Sequence, residues 1–197
     1  MTSAALLTPA LAAIHERRSI RSYTSEPVPH ETVERLLDAA VWAPSAMNTQ
    51  PWSFVVVQDP ELLDRFETEA AEPYRREPPE GELATLPPDQ LAGLRDLINT
   101  PGFGIFHGAP AVIVIYSSSE LGIPDCYLAA QNLMLAATTL GLGSCPIGLA
   151  RPFFDEATVK AELGVPVTSC CALPVVVGTP QFAVAPTPRD APDVLWR

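Results

Sequence analysis

The stretch that decides the fold is DCYLAAQNLMLAATTLGLG, residues 125–143, because it predicts a helix that is apolar on nearly every face. Such a helix belongs at the centre of a hydrophobic core or in a subunit interface, since it offers little polar surface to water. Gly141 or Gly143 is expected to end it. The rest of the chain must therefore supply elements that cover this helix.

Three apolar runs predict buried strands: SFVVVQ (53–58), APAVIVIYS (109–117) and CALPVVVGTP (171–180). Pro174 inside the last run indicates a strand start or an irregularity, because proline cannot donate to a sheet ladder. Further helices are predicted at about 9–17, capped by Thr8, then from after Pro29 until Pro44 ends it, and at about 60–70, 89–99 and 154–163. This alternation predicts an α+β or α/β sandwich around one sheet, formed by a single domain spanning residues 1–197.

Two segments differ from the rest in composition. Five prolines fall between residues 72 and 90, which predicts a surface excursion or a mobile lid instead of a long regular element. We place substrate choice in the region 72–107, with Tyr74, Phe103 and Phe106 as candidates for the entrance; ordinary loop packing is the alternative for each. The tail 181–197 is rich in proline and lacks periodicity, so it is expected to wrap a neighbouring subunit.

The charge balance excludes several classes of partner. The chain has a formal net charge of −11, which argues against nucleic acid or an anionic membrane surface. The four cysteines form no C-x-x-C pair, and no histidine–cysteine spacing indicates a zinc site, so reduced thiols, no metal and a cytoplasmic location are expected. The N-terminus lacks a positively charged leading region and is interpreted as a mature start.

Against this acidic background, HERRSIRSY (15–23) gathers three of the 12 Lys and Arg residues within five positions. Guanidinium groups beside a serine hydroxyl suit a ligand that carries a phosphate and a polar ring edge. The alternative is a solvated basic surface at the end of a helix, where cations are favoured anyway.

A second unusual stretch, APSAMNTQPW (43–52), joins a helix to a strand. Asn48 and Gln50 could hydrogen-bond a heteroaromatic edge. The alternative is a loop that satisfies its own backbone, with Trp52 as a core anchor. The sequence contains no P-loop motif. GLGSCPIG (141–148) does not match G-x-G-x-x-G, because position 146 is proline.

Together these stretches resemble the nitroreductase family of FMN-dependent flavoproteins. The family pattern R-R-S-x-R matches residues 17–21, and P-S-x-x-N-x-Q-P-W matches residues 44–52. An apolar strand after Ala-Pro, the helix described above, a Pro-Ile-Gly loop at 146–148 and a late VVGxP at 176–180 follow in the family's order. The resemblance implies an α/β/α sandwich with a mostly antiparallel sheet, an obligate homodimer and two FMN molecules at its interface.

The resemblance also implies roles for particular residues. Arg17, Arg18 and Ser19 would hold the phosphate and ribityl region, and Arg21 would lie near the N1/O2 side of the ring. The Gly148 N–H would donate to flavin N5, and Arg189, or less directly Arg197, would make a second phosphate contact. The implied cofactor-binding set is Arg17, Arg18, Ser19, Arg21, Pro44, Ser45, Ala46, Asn48, Gln50, Pro146, Ile147, Gly148 and Arg189, with the segment 44–48 coming from the partner subunit.

The implied reaction is ping-pong transfer of a hydride from NADH or NADPH, through flavin N5, to a small-molecule acceptor such as a nitroaromatic or a quinone. Arg21 and Gly148 are then the residues closest to the chemistry, which the cofactor itself carries. Two alternatives remain open: another flavin reaction on the same scaffold, such as reductive dehalogenation, ring dehydrogenation or flavin destruction, and a flavin-binding protein without turnover.

Overall fold

The computed structural model describes residues 8–76 and 87–197, so the middle of the excursion predicted at 72–90, residues 77–86, lies outside the described residues. The helices are α1 (Pro9–Glu16), α2 (His30–Val41), α3 (Pro60–Arg76), α4 (Pro88–Ile98), α5 (Ile123–Thr139), α6 (Arg151–Asp155) and α7 (Ala157–Glu162). The strands are β1 (Trp52–Val57), β2 (Ala111–Ser117), β3 (Gly143–Pro146) and β4 (Cys170–Gly178).

The four strands form one sheet in the order β1-β2-β4-β3, and every neighbouring pair is antiparallel. Strand β2 is buried along its whole length because helices cover both faces of the sheet. Its side chains alternate between the two faces, as the period of a strand requires. The predicted α+β architecture with a mainly antiparallel sheet is confirmed.

Two hydrophobic clusters fill the space on either side of the sheet. On one face Ile113 and Ile115 pack with α2 and α5, and α5 contributes the fully buried Ala129, Ala130 and Leu133. On the other face Val112, Val114 and Tyr116 pack with α3, α6 and α7. The apolar helix of the opening stretch therefore lies in a core, as predicted, although Tyr127 and Leu128 on its outer face remain 40% and 46% exposed.

Several element boundaries differ from the sequence-based predictions. Helix α3 continues past the predicted end at residue 70 and runs through Pro73, which lies in its last turn, where few hydrogen bonds are lost. The predicted helix 154–163 is two helices separated at Glu156, whose backbone is extended. Strand β3 was not predicted, because four residues containing glycine and proline carry no strand pattern.

Pro174 does not start β4, which begins four residues earlier. The register of β2 against β4 shifts between Ile115 and Tyr116, opposite Ala172, so the predicted irregularity lies two residues before the proline. The carbonyl of Pro174 accepts a hydrogen bond from the Ile147 N–H at 2.8 Å. This contact fixes the loop that follows β3.

Candidate functional site

The basic segment 17–23 runs along the β3 edge of the sheet. Ser19 pairs with Ser144 of β3 in an isolated parallel bridge, and the Ile20 N–H donates to the Ser144 carbonyl at 3.0 Å. The Ile20 side chain is buried, and the Tyr23 hydroxyl donates to the Ile20 carbonyl at 2.7 Å. These contacts fix the segment to the core, so Arg21 between them, and Arg17 and Arg18 just before them, extend from an anchored stretch of backbone.

Three of the predicted phosphate-binding cations line one cavity. The cavity measures about 380 Å³ and is lined by Ile14, His15, Arg17, Arg18, Pro186, Thr187 and Arg189. Arg189 reaches it from the tail, more than 160 positions away in sequence. Arg197 is not among the lining residues that the structure describes.

Arg18 is held within this cavity by the end of α1. Its Nη1 donates to the carbonyls of His15 at 2.6 Å and Arg17 at 2.8 Å. Its Nε is buried and finds no acceptor in the described part of the chain. A buried guanidinium nitrogen without an acceptor is costly, so the arrangement favours an anionic ligand that would supply one.

Arg21 is not among the described residues that line this cavity. Burial raises the pKa of the Cys145 thiol, and the positive charge of Arg21 partly opposes this shift. Burial lowers the pKa of His107, and the Arg21 charge lowers it further. Arg21 is exposed, and its charge acts on the pKa of one residue of β3 and of one residue in the turn that precedes β2.

The Pro-Ile-Gly segment after β3 presents an open backbone donor. Pro146 ends β3, Ile147 is buried, and Gly148 is exposed. A Cβ added at Gly148 would meet no atom within 4 Å, and no hydrogen bond among the described residues uses its N–H. The Tyr74 hydroxyl donates to the Leu149 carbonyl at 2.7 Å and steadies this segment from α3. A planar ligand could therefore approach Gly148 without a steric clash.

The segment 44–50 lies at the opposite edge of the sheet, before β1. The Ser45 hydroxyl accepts the Gln50 N–H at 2.9 Å, and the Ala46 N–H donates to Asp125 at 3.1 Å. Met47, Asn48 and Gln50 all have positive φ values, near 50°, which is unusual for residues other than glycine. The alternative interpretation of this segment, a loop that satisfies its own backbone, is therefore correct in part, and Trp52 packs against the core.

A single chain does not bring all the predicted site residues together. Segment 44–50 precedes β1, whereas the basic segment and Gly148 flank β3, and two strands lie between these edges. Three strand spacings separate β1 from β3 by about 14 Å. The exposed Pro44, Ala46, Asn48 and Gln50 therefore lie at the other edge of the sheet from Arg18 and Gly148 of the same chain.

The three candidate entrance residues differ in burial. Tyr74 and Phe103 are half-buried. The prediction for Phe106 is wrong, because its side chain is 2% exposed and stacks on Phe154 in the core at 6.1 Å. Sequence reasoning treated His107 only as an isolated histidine. The structure shows that it is half-buried and has a positive φ of 58°, in the glycine-rich GFGIFHG segment before a buried strand.

The family model described as the nitroreductase family matches residues 14–178. The chain belongs to the nitroreductase family. An NADH dehydrogenase of Thermus thermophilus is 34% identical over 203 residues, covering 95% of this chain and 96% of that protein. Nitroreductase NfnB of Mycolicibacterium smegmatis is 35% identical, covering 77% of this chain and 75% of that protein.

A further relative and two solved structures extend the comparison. A relative from Methanothermobacter thermautotrophicus is 33% identical, and the match spans 71% of this chain but only 60% of that protein's length. Among solved structures, a nitroreductase with bound FMN from Desulfitobacterium hafniense superposes with a TM-score of 0.81 at 27% identity, covering 98% of this chain and all of the other. An iodotyrosine deiodinase bound to FMN and 3-iodo-L-tyrosine superposes with a TM-score of 0.76 at 25% identity, covering 95% and 98%.

In the described residues, no helix is both long and apolar enough to cross a membrane.

Proposed function

We propose that this protein is an FMN-dependent oxidoreductase that takes a hydride from NADH or NADPH and reduces a nitroaromatic, quinone or similar acceptor. The observation that carries the proposal is the cavity in which Arg17, Arg18 and Arg189 converge. In a chain with a net charge of −11, three guanidinium groups around one cavity indicate an anionic ligand. The FMN phosphate is such a ligand, and the family relatives with bound FMN support this choice.

The described residues fit FMN at both ends. The buried, unpaired Nε of Arg18 can donate to a phosphate oxygen. The free N–H of Gly148 can donate to a ring nitrogen, and the space above it admits a flat ring. Ser19 follows Arg18 on the segment that borders β3, where its hydroxyl could also donate to the ligand.

When bound, FMN supplies the two-electron chemistry, because its N5 accepts a hydride and the reduced ring passes electrons to the acceptor. The chain's own part is electrostatic and positional. Arg21 would place a permanent positive charge near the ring, where it would stabilise the negative charge of the reduced form. The Gly148 N–H would orient the ring by donating a hydrogen bond to it. Tyr74, through Leu149, keeps that N–H in place.

We also propose that the active species is a homodimer whose sites combine both chains. The segment 44–50 leads into β1, which lies about 14 Å from β3 in its own chain, three strand spacings away, so we infer that this segment serves the partner's flavin. Leu11 and Ile14 on α1 are 45% and 51% exposed, next to the outer face of α5, which forms an apolar surface suited to pairing. In the tail, Phe182, Leu195 and Trp196 are 65%, 83% and 91% exposed, which supports wrapping around the partner.

We place the protein in the cytoplasm, where its four unpaired cysteines would remain reduced.

An anaerobic titration tests the proposed activity. The flavin-loaded protein is mixed with NADH or NADPH without oxygen, and bleaching of the flavin absorbance is followed. A nitrofuran or a quinone is then added, and we expect the absorbance to return. Protein that takes up no added FMN, or bound flavin that neither nucleotide bleaches, would refute the proposal. Analytical ultracentrifugation of the same sample should give twice the 21.1 kDa chain mass.

The role of Arg21 has its own test. Arg21→Ala should slow flavin reduction more than it weakens FMN binding, because the charge acts mainly on the reduced form. Rapid-mixing measurements on the flavin-loaded variant give the reduction rate, and a titration gives the affinity. An unchanged reduction rate would show that Arg21 does not lie at the ring.

The similarity to an iodotyrosine deiodinase favours one second candidate, reductive dehalogenation of a halogenated aromatic. The same reduced, flavin-loaded protein is incubated with 3-iodo-L-tyrosine, and iodide release is measured. Iodide release faster than nitro or quinone reduction would replace the primary acceptor class with this one.

A further inference from the structure

A second cavity lies between α3 and the helices α6 and α7. It measures about 570 Å³, whereas the cavity lined by Arg17, Arg18 and Arg189, the arginine cavity, measures about 380 Å³. No described residue lines both cavities. The volume of the second cavity lies in the range typical of small-molecule sites, so a ligand of that size could occupy it.

The base of the second cavity is apolar and packed against the core. Phe153 of α6 and Val159 of α7 both line the cavity and are 6% and 5% exposed. The Phe66 ring meets the Phe153 ring edge to face, with centroids 5.1 Å apart. Arg65 of α3 forms an ion pair with Glu162 of α7, which links the two sides of the cavity. Because the chain itself forms this shape, a ligand would need to order little of it.

Negative charge dominates the polar part of the lining. Arg65 is the one cation among the described lining residues, and it pairs with both Glu69 and Glu162. No ion pair or hydrogen bond between described residues involves the carboxylate of Glu156, which is exposed at the start of α7. The four carboxylates of the cavity belong to Glu69, Glu72, Glu156 and Glu162.

This charge excludes the ligands of the proposed reaction from the second cavity. FMN, NADH and NADPH are all anions, because each carries phosphate, and four carboxylates would repel them. An ammonium group, by contrast, donates strong hydrogen bonds to a carboxylate. The charge and the apolar base therefore both favour a cation that carries an apolar part.

We propose that the second cavity is a ligand site for a small organic amine, whose ammonium group pairs with Glu156 and whose apolar part packs on Phe153 and Val159. The inference goes beyond the proposed function and does not depend on it, since no residue assigned to FMN lines this cavity. The amine and FMN should therefore bind at the same time.

Three matched probes test the chemistry of the site. 4-Phenylbutylamine, 4-phenylbutanol and 4-phenylbutyrate share one apolar body and differ in the charge of the head group. Each is titrated at neutral pH into the full-length protein, and the amide NMR signals are followed. The amine should bind about tenfold more tightly than the alcohol, the scale of one charge-assisted hydrogen bond, and the butyrate should bind more weakly than either. The signals that move should be those of α3, α6 and α7.

Three variants test the residues. Glu156→Gln should raise the Kd for the amine about fivefold, the scale of one exposed charge pair. Glu61→Gln is the matched control, because it removes the same charge from an exposed position of α3 that does not line the cavity, and it should leave the Kd unchanged. Thr68→Lys should remove amine binding, since it supplies a tethered ammonium group at the cavity. Thr68 is exposed and lysine is a good helix former, so this variant should fold, which urea unfolding checks.

The outcomes distinguish a built site from the general attraction of cations to an acidic chain. Equal affinities for the amine and the alcohol, or equal losses in Glu156→Gln and Glu61→Gln, would overturn the inference. Undiminished binding to Thr68→Lys would also overturn it, and so would competition between the amine and FMN. Protein that takes up no FMN but binds the amine in this way would refute the proposed function alone.

Discussion

Replacing Gly148 by alanine separates the folding of this protein from its binding of flavin. The added Cβ would meet no atom of the chain within 4 Å, and the φ of Gly148 is not in the left-handed region. We therefore expect the free energy of unfolding of flavin-free Gly148→Ala to stay within about 0.5 kcal/mol of the unmodified protein. Urea unfolding followed by circular dichroism measures this.

The same methyl group would occupy the space in which we place the flavin ring. Forcing one extra methyl into a packed contact costs about 1–3 kcal/mol. That cost corresponds to a Kd for FMN raised by roughly 5-fold to 150-fold. Quenching of FMN fluorescence, titrated with flavin-free protein, gives the Kd directly.

Gly143→Ala is the matched control. A Cβ at Gly143 would lie 2.7 Å from Cγ1 of the buried Ile20, so this variant should destabilise the flavin-free protein, in contrast to Gly148→Ala. An unchanged Kd for Gly148→Ala would refute the placement of the ring against Gly148. A large loss of its stability without flavin would refute the open space that the structure shows there.

Three further predictions concern other parts of the molecule. Lys160 is 6% exposed and donates hydrogen bonds to the Asp155 carboxylate at 3.0 Å and to two backbone carbonyls. Lys160→Met should therefore lower the free energy of unfolding by about 2–3 kcal/mol, a figure discounted because Asp155 is half-exposed, and should leave the FMN affinity unchanged. Unchanged urea unfolding would contradict this. Arg189→Gln should weaken FMN binding about tenfold, whereas Arg197→Gln, outside the arginine cavity, should not; equal effects in the titration would show that the tail acts only through its net charge. Folding lowers the pKa of His107, so the stability that its neutral form contributes is present above about pH 6.5 and is lost as the pH falls through the lower pKa of the folded state. The difference between the stability–pH curves of the unmodified protein and His107→Asn should show this loss. Parallel curves would refute the prediction.

Much of the fold could be predicted because it depends on local patterns. The helix at residues 125–143 and the strands at 53–58 and 109–117 were recognised from apolar periodicity, and the structure places them within about four residues of the predicted bounds. Strand β3 escaped prediction because pairing with β4, not its own composition, makes it a strand. The extension of α3 through Pro73 escaped it because tertiary packing overrides a local helix breaker near a helix end.

The candidate site, too, could be predicted only in part. By itself the sequence determined which residue types are available: a cluster of arginines in an acidic chain, a Pro-Ile-Gly segment and the family they resemble. Only the tertiary structure decided which of these meet, because contacts between distant segments depend on strand order, which no local pattern encodes. It placed Arg189 and Arg18 on one cavity, put two strands between segment 44–50 and the β3 edge, and tied the turn before β2 to a carboxylate of α3.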